Sequence, residues 1–197
     1  MSKDNNLILP GFTSKRYPAG THMCLIYNNE QQQRDIMSKF MQAGLQAGEK
    51  VNYIADLTEP AGVYQWLSER GVEIPTGEKK GQLNISGAKD FYYPDDVFST
   101  QDIIERIGNF HQQAASDGYT AFLSTGEMSW AKKKISGSER LMEYEDLLNE
   151  VLDKYKITAI CQYDIRLFDT RTIMEVLRTH PIVIMYGTVM PSPYYNS

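Results

Sequence analysis

The chain has 197 residues, enough for a sizeable core, and its 42% hydrophobic and 23% charged residues make a globular composition rather than a disordered one. A net charge of −5 argues against direct binding to nucleic acid or to an anionic membrane, both of which draw on excess lysine and arginine. No apolar run approaches the roughly 20 residues of a membrane helix, the opening residues lack the apolar stretch of a secretory signal, and Cys24 and Cys161 make no disulfide framework, so a cytoplasmic protein with reduced thiols is expected.

Short apolar runs alternate with helical patterns, which predicts an α/β protein with a mostly parallel central sheet flanked by helices. After a polar N-terminal segment over residues 1–14, the first strand is expected near 22–27 and a helix over 30–47, where Ile36, Phe40, Met41, Gly44 and Leu45 recur at helical spacing before Gly48. A strand near 51–56 leads to a helix over 59–70 that stops before Gly71. Pro75, Gly77 and Gly81 mark 72–81 as a loop, followed by a strand near 82–86. Ser99 or Thr100 opens a helix to about 116, a strand follows at 119–125, and 132–137 is a loop. The remaining expected elements are a helix over 138–155, a strand at 157–163, a helix over 169–179 opened by Asp169 and closed before Pro181, and a strand at 182–187. No repeat or long linker divides the chain, so residues 15–197 read as one domain.

The first strand, Thr21-His22-Met23-Cys24-Leu25-Ile26-Tyr27, carries an imidazole and a thiol two residues apart. Side chains at i and i+2 share a strand face, so His22 and Cys24 point the same way. They are candidate ligands for a metal such as zinc or for a small compound; small core residues are the alternative, as buried free cysteines usually are. Asn28-Asn29-Glu30 follows, where a nucleotide-binding protein would place glycines, and no G-x-x-x-x-G-K-[ST] occurs anywhere in the chain. Bound ATP is therefore not expected. There is also no G-x-S-x-G, H-E-x-x-H, Cys-x-x-Cys or G-x-G-x-x-G motif, and the His22–Cys24 pair lacks an evident third residue to orient the imidazole as a base.

Several blocks resemble one family in order along the chain: Gly20-Thr21-His22-Met23-Cys24-Leu25-Ile26-Tyr27, Phe40 with Gly44-Leu45 and Gly48-Glu49-Lys50-Val51, Gly126-Glu127-Met128-Ser129-Trp130, Tyr144-Glu145, Cys161-Gln162-Tyr163-Asp164, and Leu177-Arg178-Thr179-His180-Pro181 with Pro193-Tyr194-Tyr195. The chain is similar, over about residues 15–195, to the MEDS domain, the methanogen/methylotroph, DcmR-type sensory domain. The resemblance implies a RecA/KaiC-like fold without a phosphate-binding loop. It also implies a non-catalytic sensory role, in signal transduction or transcription regulation, that detects a hydrocarbon derivative or related metabolite.

In such a fold the Cys161 strand would neighbour the first strand, so His22, Cys24 and Cys161 could meet, and ligands bind beyond the carboxyl ends of the strands. The expected ligand-binding residues are His22, Cys24, Tyr27, Glu127, Trp130, Cys161, Tyr163 and Asp164, with His22 and Cys24 as metal ligands. Glu127 could instead face solvent, Trp130 cover the core edge, and Asp164 only pair with Arg166. His180 reads as a structural residue whose charge complements a helix end. The expected partners are a small-molecule ligand and a regulatory protein, with self-association open. The alternative is a divergent nucleotide-binding protein or ATPase-related enzyme; a scaffold is a third reading.

Overall fold

The computed structural model describes residues 7–195; Met1–Asn6 of the expected N-terminal segment and Asn196–Ser197 lie outside the described residues. The strands are β1 (Leu7–Ile8), β2 (Tyr17–Pro18), β3 (His22–Tyr27), β4 (Lys50–Ala55), β5 (Leu83–Gly87), β6 (Phe122–Glu127), β7 (Ile157–Asp164), β8 (Ile182–Met185) and β9 (Thr188–Pro191). The helices are α1 (Glu30–Gln46), α2 (Pro60–Glu69), α3 (Ala88–Tyr92), α4 (Thr100–Ser116), α5 (Leu141–Tyr155) and α6 (Thr170–Thr179). β1 and β2 form a small antiparallel pair, so the segment ahead of residue 15 is tied to the body at Leu7–Ile8.

The other strands make one seven-stranded sheet in the order β5-β4-β6-β7-β3-β8-β9, parallel except for the final hairpin. Helices cover both faces. β3 and β7 are buried along their whole length and run side by side in the middle of the sheet, as near-continuous apolar strands of a doubly covered sheet should. Their register sets Cys24 directly beside Cys161. No helix among the described residues is long and apolar enough to cross a membrane.

Strand alternation divides the interior in two. His22, Cys24 and Ile26 of β3 and Ala159, Cys161 and Tyr163 of β7 face α4, α5 and α6. Met23, Leu25 and Tyr27, with Val51 and Tyr53 of β4, face α1 and α2. Helix α1 approaches closely because residue 44 is glycine: a Cβ there would lie 2.5 Å from Leu123 Cδ1. Asn29, Ser99 and Asp169 cap the first turns of α1, α4 and α6 through side-chain oxygens, each accepting from the backbone N–H three residues on.

The strand expected at 182–187 is in fact a hairpin, β8–β9, whose turn residues Tyr186 and Gly187 both have positive φ, 49° and 74°. That pair of left-handed residues is the turn that matches strand twist, but tyrosine is an unusual occupant of it, so the hairpin signal is absent from the sequence. Short α3 and the β1–β2 pair were equally unsignalled.

Candidate functional site

The carboxylate of Glu145 is the centre of a polar cluster sealed inside the α5–α6 face. On α5, Leu141, Tyr144, Leu148 and Leu152 form the buried stripe at helical spacing, and Glu145 lies within that stripe, fully buried. A carboxylate in a core position must find partners, since isolated burial of its charge is prohibitive. It finds them across the sheet and at the end of α6. Tyr163 donates its hydroxyl to Glu145 Oε1. The other oxygen, Oε2, stands 3.3 Å from His22 Nε2 and 3.4 Å from His180 Nε2. His22 Nε2 also lies 3.4 Å from Cys161 Sγ, and the two imidazole rings pack with centroids 4.0 Å apart.

Neighbouring groups fix the tautomers of both histidines. Asn149 donates Nδ2 to the Thr179 carbonyl at 2.8 Å, which leaves its Oδ1 to accept from His22 Nδ1 at 3.1 Å. His180 Nδ1 donates to the Val176 carbonyl at 2.8 Å. Both protons are thus on Nδ1, and both Nε2 lone pairs turn toward Glu145 and Cys161. Burial depresses the His22 pKa and the neighbouring His180 depresses it further. Burial raises the Glu145 carboxyl, and only imidazoles that carried a proton on Nε2 would draw it back below the ordinary carboxylate range. The Cys161 thiol is pushed well up, by burial first and then by the Glu145 charge.

Beside the cluster, a cavity of ≈ 30 Å³ lies between the sheet and helices α4 and α5. Its lining is mostly apolar, with Phe91, Tyr92, Phe110, Tyr144 and Leu148 on the walls and Cys161 linking it to the cluster.

A second polar network occupies the opposite face at the carboxyl ends of the strands. Glu127 is 2% exposed and accepts four hydrogen bonds: Tyr53 hydroxyl at 2.7 Å, Gln33 Nε2 at 3.2 Å, and the backbone N–H groups of Asp56 and Leu57 at 2.8 and 2.6 Å. Gln33 extends the network to Gln162 at 2.8 Å, and Gln162 to Thr125 at 2.8 Å. At the start of α1, Glu30 pairs with Arg166 at 2.6 Å, and Arg166 also holds the Asp164 carboxylate.

The expected site residues are therefore divided by the sheet. His22, Cys161 and Tyr163 meet around Glu145, whereas Tyr27, Glu127 and Asp164 belong to the other face or its rim. The sequence pairs His22 with Cys24; the folded chain brings His22 instead to Cys161, Glu145 and His180, while Cys24 is fully buried next to Cys161. His22 and Cys24 do not border an open cleft, because α5 and α6 close over that face. Trp130 is fully buried, stacked on Tyr92 with centroids 4.8 Å apart, and stands behind the cavity wall. Asp164 pairs with Arg166, receiving its backbone N–H at 3.0 Å as well as its guanidinium. Glu127 is not a solvent-facing loop carboxylate.

Two members of the cluster, Glu145 and His180, had no site role in the sequence reading. The available signal for Glu145 was a carboxylate inside an apolar helical stripe. His180 does close α6 through Nδ1, as expected of a helix end, but its buried Nε2 turns to Glu145.

Comparison with known proteins agrees with this architecture. The family model described as MEDS, the methanogen/methylotroph, DcmR sensory domain, matches residues 21–181. The transcriptional repressor DcmR of Methylorubrum extorquens is 24% identical over 166 residues, which cover 84% of this chain and 60% of the repressor. The chain thus spans about 60% of the length of that relative. The crystal structure of a KaiC-like protein from the hyperthermophilic archaeon Pyrococcus horikoshii OT3 superposes with a TM-score of 0.62 at 14% identity, over 86% of this chain and 72% of that one. That likeness establishes the fold alone, a KaiC-like arrangement of sheet and helices.

Proposed function

The chain belongs to the MEDS sensory-domain family, and we propose that it is a non-catalytic sensor that takes a very small, largely apolar organic compound into the cavity beside Cys161 and reports its presence to a regulatory protein partner in the cytoplasm. The observation that carries this reading is the cavity itself. Its ≈ 30 Å³ suits a compound of only a few heavy atoms, and its aromatic and aliphatic walls favour an apolar body. The polar side chains of its lining, Asn52, Ser124 and Thr125 along the strands and Cys161 beside the cluster around Glu145, give an occupant with a single polar or halogen substituent a place for it.

The opposite face supports a non-catalytic role. Nucleotide phosphates bind where glycines free the backbone N–H groups at a helix N-terminus. Here Asn28-Asn29-Glu30 precedes and opens α1, the Asn29 side chain already takes the N–H of Gln32, and Glu30 adds an anion in the first turn. Glu127 stands where an ATPase of this fold could hold an acidic catalytic group, but its lone pairs are committed to four protein donors. The family name and the repressor relative favour an output in transcription regulation.

The test is a thermal-shift panel of one- and two-carbon alcohols, aldehydes and halides, because a ligand that binds only the native state raises its stability. At least one member is expected to raise the melting temperature. Ala159→Leu, which places three further carbons into the cavity wall, should abolish that shift while the protein remains folded. A shift unchanged by Ala159→Leu, or no shift with any member while MgATP gives one, would overturn the reading.

A further inference from the structure

We infer that His22, Glu145, Cys161 and His180 form a buried site for a thiophilic divalent cation of the zinc class. One donor atom from each residue lies within 4.8 Å of all the others. Zinc bonds of about 2.0–2.3 Å in a tetrahedron place neighbouring donors roughly 3.3–3.7 Å apart. Three of the edges already have that length: 3.3 Å from His22 Nε2 to Glu145 Oε2, 3.4 Å from His180 Nε2 to the same oxygen, and 3.4 Å from His22 Nε2 to Cys161 Sγ.

The hydrogen bonding points the same way. Glu145 Oε2 and His180 Nε2 are buried and make no hydrogen bond among the described residues, although they face each other. Both are lone-pair donors in the tautomer that the Val176 carbonyl imposes, so direct contact is repulsive unless a cation lies between them. Three of the four donor residues are also held from behind. His22 Nδ1 is held by Asn149, His180 Nδ1 by the Val176 carbonyl, and Glu145 Oε1 by Tyr163. Such outer contacts fix ring orientation and ligand basicity in metal sites.

Charge balance favours the same occupant. A divalent ion with one carboxylate, one thiolate and two neutral imidazoles sums to zero, the least costly total for a sealed site. Mixed nitrogen, oxygen and sulfur donors suit zinc, whereas all-oxygen sets suit magnesium or calcium. Four protein donors fill the tetrahedron, so the ion would be a closed, stabilising one that anchors β3, α5, β7 and the end of α6 together. The site shares Cys161 with the cavity lining but requires no occupant in the cavity.

Metal analysis of the whole chain, purified without chelator and without a metal-affinity step, tests it. About one zinc per chain is expected after desalting. Chelator-unfolded protein refolded with cobalt(II) should show a thiolate-to-cobalt charge-transfer band and strong tetrahedral ligand-field absorption. Cys161→Ser should remove the charge-transfer band and Cys24→Ser should keep it. Asn149→Ala, which leaves all four donors in place, should weaken metal affinity by about 10–100-fold. Absence of both zinc and the cobalt band from the wild-type chain would show that the cluster is held by a proton alone and would overturn the inference. So would a band that survives Cys161→Ser. The thermal-shift panel is unaffected by either result.

Discussion

Replacing Glu127 by glutamine separates a structural carboxylate from a catalytic one. The side chain keeps its size, so no cavity opens, and only the charge and two lone pairs are changed. Oε2 accepts the Asp56 and Leu57 backbone N–H groups, which cannot turn away, so the amide oxygen must take that side. The new NH₂ then faces Tyr53, whose hydroxyl can rotate and accept, and Gln33 Nε2, which cannot yield because it is also bonded to Gln162. One hydrogen bond is lost and the two backbone bonds lose their charge assistance. With hydrogen bonds to charged groups contributing about 1.5–3 kcal/mol each, Glu127→Gln should cost about 2–3 kcal/mol. Glu127→Ala, which strands all four donors, should cost about 3–5 kcal/mol by analogy with breaking a buried charged pair from one side. For a domain of this size the glutamine variant should melt roughly 5–10 °C lower. Urea unfolding followed by tryptophan fluorescence measures this, because Trp66 packs edge-on against Tyr53 with centroids 6.1 Å apart. An unchanged urea midpoint for Glu127→Gln, together with ATP hydrolysis that this substitution abolishes, would refute both the structural role of Glu127 and the non-catalytic reading.

Two further substitutions have defined outcomes. Gly126→Ala should destabilise by about 1–3 kcal/mol, because an added Cβ would collide with the Tyr92 hydroxyl; Tyr92→Phe should restore part of the loss, a non-additivity that a double-mutant cycle in urea would read. Burial pushes the Glu49 carboxyl up to about 7 from 4.5, so the folded state binds more protons than the unfolded state between those values and stability should fall as pH rises through that window. Glu49→Gln should flatten this decline and be the more stable form at pH 8, by about 1–2 kcal/mol once solvent screening of a half-buried side chain is allowed for. Parallel urea titrations from pH 4 to pH 8 would show it, and equal slopes for the two proteins would dismiss the effect.

The sheet and its main helices were legible because their signals are local: apolar runs for β3 and β7, the stripe of Ile36, Phe40 and Met41 in α1, and side-chain caps at Ser99 and Asp169. Half of the buried cluster was legible too, since His22 and Cys161 are uncommon residues within otherwise apolar strands. Glu145 and His180 were not assigned to it, because their approach depends on how α5 and α6 pack over the sheet, and the sequence spacing of 35 residues between them carries no such information. The division of the remaining candidates between two faces was present in principle in the period of two. Reading the ends of several strands as one cleft obscured it.

The alternation along β7 also makes this strand the least forgiving stretch of the chain to lengthen or shorten. Cys161 and Tyr163 serve one side of the sheet, while Gln162 serves the other. A single inserted or deleted codon within the strand would exchange the sides, sending the thiol toward Gln33 and the amide toward Glu145, and neither neighbourhood could pair with what arrived. The 72–81 connection, outside both networks, carries no such reading frame. Natural or engineered length variants should therefore accumulate there and be purged from β7, even where each inserted residue is itself a good strand former.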